Sequence, residues 1–206
     1  MAFITTIPED QAPEDVKRMY DQNLEKQGYI PNYSRVFSHR PQVMEAWGNL
    51  LRAIKSNLDT RRFELVTLAA ARALKNSYCT LAHGSILRRN FYSPEQLALI
   101  AKDYRQADLT PAETAMMIFA EQIVRDAAAI TSNDIEELRK HGFSDAEIFD
   151  IAATAAARCF FAKTLDALGA EPDELYLELE EGLRQILTVG RPISGQTKES
   201  TTLSKG

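Results

Sequence analysis

Cysteine and histidine are scarce in this chain of 206 residues, which has two cysteines and three histidines. Cys79 and Cys159 lie far apart in alanine-rich surroundings, so a disulfide scaffold is not expected. The histidines His39, His83 and His141 are scattered, and no spacing typical of a zinc site occurs. The length allows a sizeable core. We therefore expect a fold that needs no disulfide, metal or other cofactor.

Basic runs and long apolar runs are also missing. Asp and Glu outnumber Lys and Arg by 29 to 24, which gives a net charge of −5 and argues against a nucleic-acid or anionic-membrane binder. No apolar stretch approaches the roughly eighteen residues that a membrane span needs. The N-terminus has no positive segment and soon meets proline and acids, unlike a secretory signal. The composition therefore predicts a cytoplasmic protein with no nucleic-acid or membrane partner.

Alternation of apolar and polar residues, the mark of a half-buried strand, is almost absent, whereas helical periodicity is widespread. The sequence therefore predicts an all-α fold. Three capping boxes, each a hydroxyl followed three residues later by Glu or Gln, predict helix starts at Ser93 with Gln96, Thr110 with Glu113 and Ser144 with Glu147. Helices are predicted near 13–27, 41–57, 60–75, 77–89, 94–102, 111–128, 132–140, 145–168 and 172–187, with a short helix before His39.

The chain contains no linker rich in Gly, Ser or Pro that would divide it. We therefore expect a single all-helical domain over residues 1–189, with the most informative window at 60–89. Residues 190–206 are poor in large apolar side chains, which predicts a disordered C-terminal tail or one that orders only against a partner subunit.

The window 60–89 concentrates the chemistry-bearing residues. Glu64 falls about one turn into a predicted helix, and Asn76 and Ser77 interrupt the apolar run before a second helix that Ser77 is predicted to cap. This places Cys79 in a first helical turn, where free N–H groups and the helix dipole favour a thiolate. His83 follows one turn later on the same face, within reach of the sulfur.

The order of Glu64, eleven residues, Asn76, two residues, Cys79, three residues and His83 resembles the motif of the alkyl hydroperoxidase D and carboxymuconolactone decarboxylase family. The segment Gly28-Tyr-Ile-Pro-Asn and the run from Phe160-Phe161 to Gly169 are similar to its peroxidase-related branch. The resemblance covers roughly residues 20 to 185.

The resemblance implies an oligomeric alkyl hydroperoxidase D-like helical bundle, a homodimer, trimer or hexamer. It also implies a peroxidatic Cys79 served by a proton relay through His83 and Glu64. Family members with two motif cysteines resolve the sulfenic acid internally, but that position is Asn76 here. We therefore expect a one-cysteine thiol peroxidase of peroxiredoxin type that acts in antioxidant defence. It would reduce hydrogen peroxide or an organic hydroperoxide, an external thiol would restore it, and Tyr78 would be an accessory donor.

Two alternatives remain open at the level of sequence. In the first, His83 and Glu64 act as acid and base in a lactone decarboxylation, and Cys79 is incidental. In the second, the protein is a non-catalytic oligomer in which the motif residues serve only to pack the helices. Asn76, in place of the resolving cysteine, favours this alternative. The sequence does not decide whether Cys159 can reach Cys79.

Overall fold

The computed structural model describes residues 2–196 and is all-α, with no strand in that range. Its ten α-helices are α1 (Glu14–Gln27), α2 (Asn32–Val36), α3 (Pro41–Lys55), α4 (Thr60–Ala73), α5 (Ser77–Asn90), α6 (Pro94–Asp103), α7 (Pro111–Asp126), α8 (Ser132–Lys140), α9 (Asp145–Ala167) and α10 (Glu181–Leu187). Short 3-10 helices include Phe37–His39 and Glu174–Glu178. The predicted fold class is confirmed.

The helix boundaries follow local chemistry that the sequence displays. All three predicted capping boxes form, at the starts of α6, α7 and α9. Pro41, Pro94 and Pro111 occupy first-turn positions, where their missing N–H has no cost. Gly28 ends α1 with a φ of 79°, a left-handed conformation that favours glycine.

Helix α4 is the centre of the core. It packs against α5, α7 and α9, and Leu65, Val66, Leu68 and Ala70 on it are fully buried. Its many alanines let the neighbouring helices approach closely, and the larger side chains fill the space between them. The window that carries Glu64 therefore lies in the buried centre of the core.

The helix predicted over 172–187 is wrong in its first half. A 3-10 helix covers Glu174–Glu178, Leu179 and Glu180 are extended, and only Glu181–Leu187 is α-helical. Tertiary contacts outweigh the helical spacing of the apolar residues from which this helix was predicted. The Asp173 carboxylate accepts from the Asn32 backbone N–H at 2.7 Å, and the Arg184 guanidinium donates to the Leu177 carbonyl at 2.6 Å. The first bond fixes Asp173 against α2, and the second satisfies a backbone carbonyl that a continuous helix would have paired internally.

The tail predicted for residues 190–206 requires correction over its first part. Residues 190–196 pack on the domain, and Ile193 is only 1% exposed. The Gly190 backbone N–H donates to Ser77 Oγ at 2.7 Å, and the Ser194 N–H donates to the Pro172 carbonyl at 2.8 Å. Backbone pairing, which composition does not reveal, holds this polar segment. The predicted tail over 197–206 lies outside the described residues.

None of the helices within residues 2–196 combines the length and the apolar character that crossing a membrane requires.

Candidate active site

Cys79 lies in the first turn of α5, as predicted, but the residue that caps this helix is Asn76. The Cys79 backbone N–H donates to Asn76 Oδ1 at 2.7 Å, and Ser77 is the first helical residue. The Asn76 side-chain amide also donates to the Ala162 carbonyl of α9 at 3.2 Å. Asn76 therefore caps the cysteine-bearing turn and joins it to α9. The predicted Ser77 cap is wrong, because the Ser77 hydroxyl is used by Gly190 instead.

The Cys79 side chain is buried, with 2% of its surface exposed. Burial raises the pKa of the Cys79 thiol, and the nearby Arg158 guanidinium opposes this by favouring the thiolate. The lowered pKa expected from the helix N-terminus alone is therefore not what this environment produces. The group that favours the thiolate is Arg158, whose Nη1 lies 3.6 Å from Cys79 Sγ.

Arg158 is a candidate functional residue that the sequence analysis missed. It is 2% exposed, its Nε has no hydrogen-bond partner, and it forms no ion pair with any acid in the described part of the chain. The guanidinium lies over the rings of Trp47 and Phe161, at 5.6 and 5.7 Å from their centroids. A buried cation without a carboxylate is costly, so an anion at Cys79 would compensate it. The one sequence signal was an arginine within the alanine-rich run of α9.

The structure brings Glu64 and His83 together. His83 Nδ1 lies 2.5 Å from Glu64 Oε2, and Lys55 Nζ donates to Glu64 Oε1 at 3.3 Å. Burial acts to raise the pKa of the Glu64 carboxyl, but His83 and Lys55 outweigh it and lower that pKa. Burial and the charge of Arg158 lower the pKa of His83 against the opposing pull of Glu64. Glu64 is thus ionised, and a neutral His83 that donates Nδ1–H to it keeps a lone pair on Nε2.

Cys79 and His83 line one cavity of about 940 Å³, and Arg158 lines it as well. Its wall is mostly aromatic and apolar, with Tyr29, Tyr33, Met44, Trp47, Phe161 and Tyr176. The Trp47 and Phe161 rings stack at 5.1 Å. A cavity of this size and lining suits an organic molecule with an apolar body.

Tyr78, the predicted accessory residue, also lines the cavity, but its hydroxyl is already engaged. It donates to Asp173, whose carboxylate also accepts from the Tyr29 hydroxyl at 3.4 Å. Burial raises the pKa of the Tyr78 hydroxyl well above its usual value. Tyr78 therefore stays protonated and joins α5 to the segment before α10.

Cys159 is separate from this constellation. It is a free thiol on α9, partly exposed, and its Sγ donates to the Ala155 carbonyl at 3.6 Å. It follows Arg158 directly, and successive helical residues point about 100° apart. Cys159 does not line the cavity that Cys79 faces. Among residues 2–196, no group of three His, Cys, Asp or Glu side chains is arranged to hold a metal ion.

Comparison with protein families finds a similarity over the central helices. Residues 41–122 match the model of the carboxymuconolactone decarboxylase family, a range that includes Glu64, Asn76, Cys79 and His83. A search of curated proteins found no significant match.

Solved structures share the fold over most of the chain. An alkylhydroperoxidase AhpD core, an uncharacterized peroxidase-related protein from Ralstonia eutropha JMP134, is 27% identical with a TM-score of 0.77, covering 85% of this chain and 94% of that one. An uncharacterized peroxidase-related protein from Silicibacter sp. TM1040 is 25% identical with a TM-score of 0.76. That match covers 84% of this chain and 95% of the other. The debrominase Bmp8 also shares the fold. It is 22% identical with a TM-score of 0.67, and the match covers 89% of this chain and 95% of that one.

Proposed function

We propose that this chain, which carries the motif and the fold of the alkyl hydroperoxidase D-like, carboxymuconolactone decarboxylase family, is a one-cysteine thiol peroxidase. The observation that carries the proposal is the contact of 3.6 Å between Cys79 Sγ and a buried Arg158 that no carboxylate in the described chain neutralises. The peroxidase-related neighbours support the same chemistry.

In the first step the Cys79 thiolate attacks one oxygen of the hydroperoxide. The O–O bond breaks, the sulfur becomes a sulfenic acid, and the other oxygen leaves as an alkoxide that takes up a proton to give the alcohol. Arg158 stabilises the thiolate before attack and the negative charge that develops on the leaving oxygen. His83 accepts the thiol proton at Nε2 and returns it to the leaving oxygen, while Glu64 holds the ring in the required tautomer.

In the second step an external thiol restores the enzyme. The first thiol condenses with the sulfenic acid, releasing water and leaving a mixed disulfide, and a second thiol displaces Cys79 from it. Asn76 occupies the position where two-cysteine relatives carry the resolving cysteine, and Cys159 is not in the cavity, so both reducing equivalents come from outside. The expected role is antioxidant defence.

The test is consumption of hydrogen peroxide and of a bulky organic hydroperoxide by purified protein with a dithiol reductant. Cys79→Ser should abolish turnover, whereas Cys159→Ser, the matched control, should retain it. Mass spectrometry of peroxide-treated protein should find the sulfenic acid, trapped with dimedone, on Cys79 alone. Equal rates for the wild-type protein and Cys79→Ser would refute the proposal.

The pairing of His83 with Glu64 at 2.5 Å supports a second candidate, a lyase that uses the pair for proton transfer. The two candidates differ in their dependence on sulfur. A lactone decarboxylation that survives Cys79→Ser and is lost in His83→Ala would favour the lyase. Loss of peroxide turnover in Cys79→Ser would favour the peroxidase.

A further inference from the structure

A buried cation without an anionic partner lies in the wall of the cavity that holds Cys79. Arg158 is 2% exposed, and its one hydrogen-bond contact among residues 2–196 joins Nη1 to Cys79 Sγ at 3.6 Å. Its Nε has no partner. Burial raises the pKa of the Cys79 thiol despite this arginine, so the sulfur is a thiol at neutral pH. The guanidinium therefore lacks a compensating negative charge in the free protein.

The charged residues that line the cavity are mostly cations. Besides Arg158, three basic and two acidic side chains line it, namely Lys26, Arg88, Arg89, Glu178 and Glu180. Glu180 lies 2.7 Å from Arg88, and this pair is neutral as a unit. The whole chain carries a net charge of −5, so the excess of cations at the cavity is opposite to the charge of the molecule. A cavity lined in this way attracts anions.

The wall around Arg158 is built from planar rings. Trp47 and Phe161 stack with their centroids 5.1 Å apart, and the guanidinium lies over both. The Tyr33 ring meets Phe161 edge-on at 5.6 Å. A planar ring of a ligand gains from face and edge contacts with such side chains. The volume of about 940 Å³ lies in the range of cavities that hold a small organic molecule.

We propose that this cavity is a binding site for an aromatic carboxylate, whose carboxylate pairs with Arg158 and whose ring lies among Trp47, Phe161 and Tyr33. A guanidinium presents its N–H donors in a planar fork that matches a carboxylate. The apolar surroundings strengthen this pairing relative to the same pair in water. A ligand held there covers Cys79 Sγ, so its binding is coupled to the reactivity of the sulfur. The proposal goes beyond the peroxidase activity and does not depend on it.

The two features of the cavity select this class of ligand together. An inorganic anion would neutralise Arg158 but would leave the aromatic wall in contact with water. A neutral aromatic molecule would cover the wall but would leave the buried guanidinium without a negative charge. An aromatic carboxylate satisfies both.

The experiment uses Trp47 as the reporter, because it is the single tryptophan of the chain and lies in the cavity wall. Titration of the wild-type protein with benzoate at pH 7 should change its fluorescence to saturation. Benzamide, the neutral counterpart, should bind about tenfold more weakly or less tightly still. Cyclohexanecarboxylate keeps the charge but not the planar ring, and should bind about three- to tenfold more weakly.

Two substitutions distinguish the buried cation from the others. Arg158→Met should weaken benzoate about tenfold or more, and it should leave benzamide within about twofold. The matched control is Arg89→Met, which removes an exposed arginine that lines the same cavity and should change the benzoate affinity by no more than about twofold. Far-UV circular dichroism would verify that each variant is folded. The comparison of benzoate with benzamide in the wild-type protein tests the proposal even if Arg158→Met does not fold.

Protection of the sulfur tests where the ligand lies. In a Cys159→Ser background, benzoate should slow the alkylation of Cys79 by iodoacetamide, with the same half-saturating concentration as the fluorescence change. Equal affinities for benzoate and benzamide, an unchanged benzoate affinity in Arg158→Met, or alkylation that saturating benzoate does not slow would each overturn the proposal. So would the absence of benzoate binding up to millimolar concentration.

Cys79→Ser separates this proposal from the peroxidase proposal. The variant should retain benzoate binding, because the guanidinium remains, whereas it should lose peroxide turnover. A wild-type protein that binds benzoate and does not consume peroxide would refute the peroxidase alone. A protein that consumes peroxide and does not discriminate benzoate from benzamide would refute the carboxylate site alone.

Discussion

At the scale of single residues, the proposed reactivity of the candidate site depends on one cation that has no acid partner in the described part of the chain. Arg158 is buried, contacts Cys79 Sγ, and has no acid partner among the residues that the structure describes. Burial raises the pKa of the Cys79 thiol, and this rise outweighs the opposing effect of Arg158. The group that favours the thiolate here is therefore a residue on another helix, distant in sequence.

Substitution of that cation should change the titration of the thiol. In Arg158→Met the Cys79 pKa rises further, so the midpoint of iodoacetamide alkylation against pH moves upward. At a pH below the pKa of the Cys79 thiol, a midpoint that is one pH unit higher lowers the rate of alkylation by about a factor of ten. Arg139→Met, which removes an exposed arginine on α8, is the control and should leave the profile in place. If the pH profile of alkylation is the same in Arg158→Met as in the wild-type protein, the Arg158 cation is excluded as the source of the reactivity of Cys79.

The Glu64 carboxylate should leave a signature in the pH dependence of stability. Its pKa is lowered in the folded protein, so ionised Glu64 stabilises the fold above its unfolded pKa, and this contribution is lost as pH falls through the lower folded value. In Glu64→Gln the free energy of unfolding should therefore fall less on acidification, by about 1.4 kcal/mol for each pH unit that separates the folded from the unfolded pKa. Urea unfolding at a series of pH values from neutral down to about pH 3, where the carboxyl of the folded protein titrates, measures the difference. If the free energy of unfolding of Glu64→Gln falls on acidification as much as that of the wild-type protein, the lowered pKa of Glu64 in the folded protein is contradicted.

At the scale of elements, the start of α5 is held by contacts in two directions. Asn76 caps the helix through the Cys79 N–H and binds the Ala162 carbonyl of α9. The same side chain thus fixes the cysteine along the chain and against the helix that carries Arg158. This gives Asn76 a structural role at the start of the helix that carries Cys79.

The cap predicts a graded series of variants. Asn76→Ala should lower the free energy of unfolding by about 1 to 2 kcal/mol, because it leaves the buried Cys79 N–H without its acceptor and removes the bond to α9. Asn76→Ser keeps an acceptor for the Cys79 N–H and should recover part of the loss. Thermal unfolding followed by circular dichroism measures both. An Asn76→Ala protein as stable as the wild type would show that the cap contributes nothing.

At the scale of the whole molecule, the segment 190–196 closes the fold over α5. A Cβ on Gly190 would lie 2.1 Å from the Lys75 carbonyl oxygen, a backbone atom that cannot move aside alone. Glycine is therefore required where the C-terminal segment crosses the turn between α4 and α5. The start of the candidate catalytic helix is covered by residues from the far end of the chain.

Gly190→Ala should accordingly destabilise the protein by about 1 to 3 kcal/mol, the usual cost of overpacking. Gly182→Ala is the matched control, because nothing lies within 4 Å of a Cβ there and the position is helical. It should be neutral or stabilising by up to about 1 kcal/mol. Equal stability of the two variants, measured by urea unfolding, would show that residues 190–196 do not pack as described.

The sequence by itself determined most of the helices, the three capping boxes and the window that holds Glu64, Cys79 and His83, because helix starts depend on residues within a turn of one another. Only the tertiary structure decided what surrounds the sulfur. Arg158 reaches Cys79 from α9, and Gly190 takes the Ser77 hydroxyl that would have capped α5. The helix predicted at 172 and the tail predicted at 190 were wrong for the same reason, since distant partners satisfy backbone groups there. Local chemistry selects an element, and packing between elements sets the charge and exposure of the groups that react.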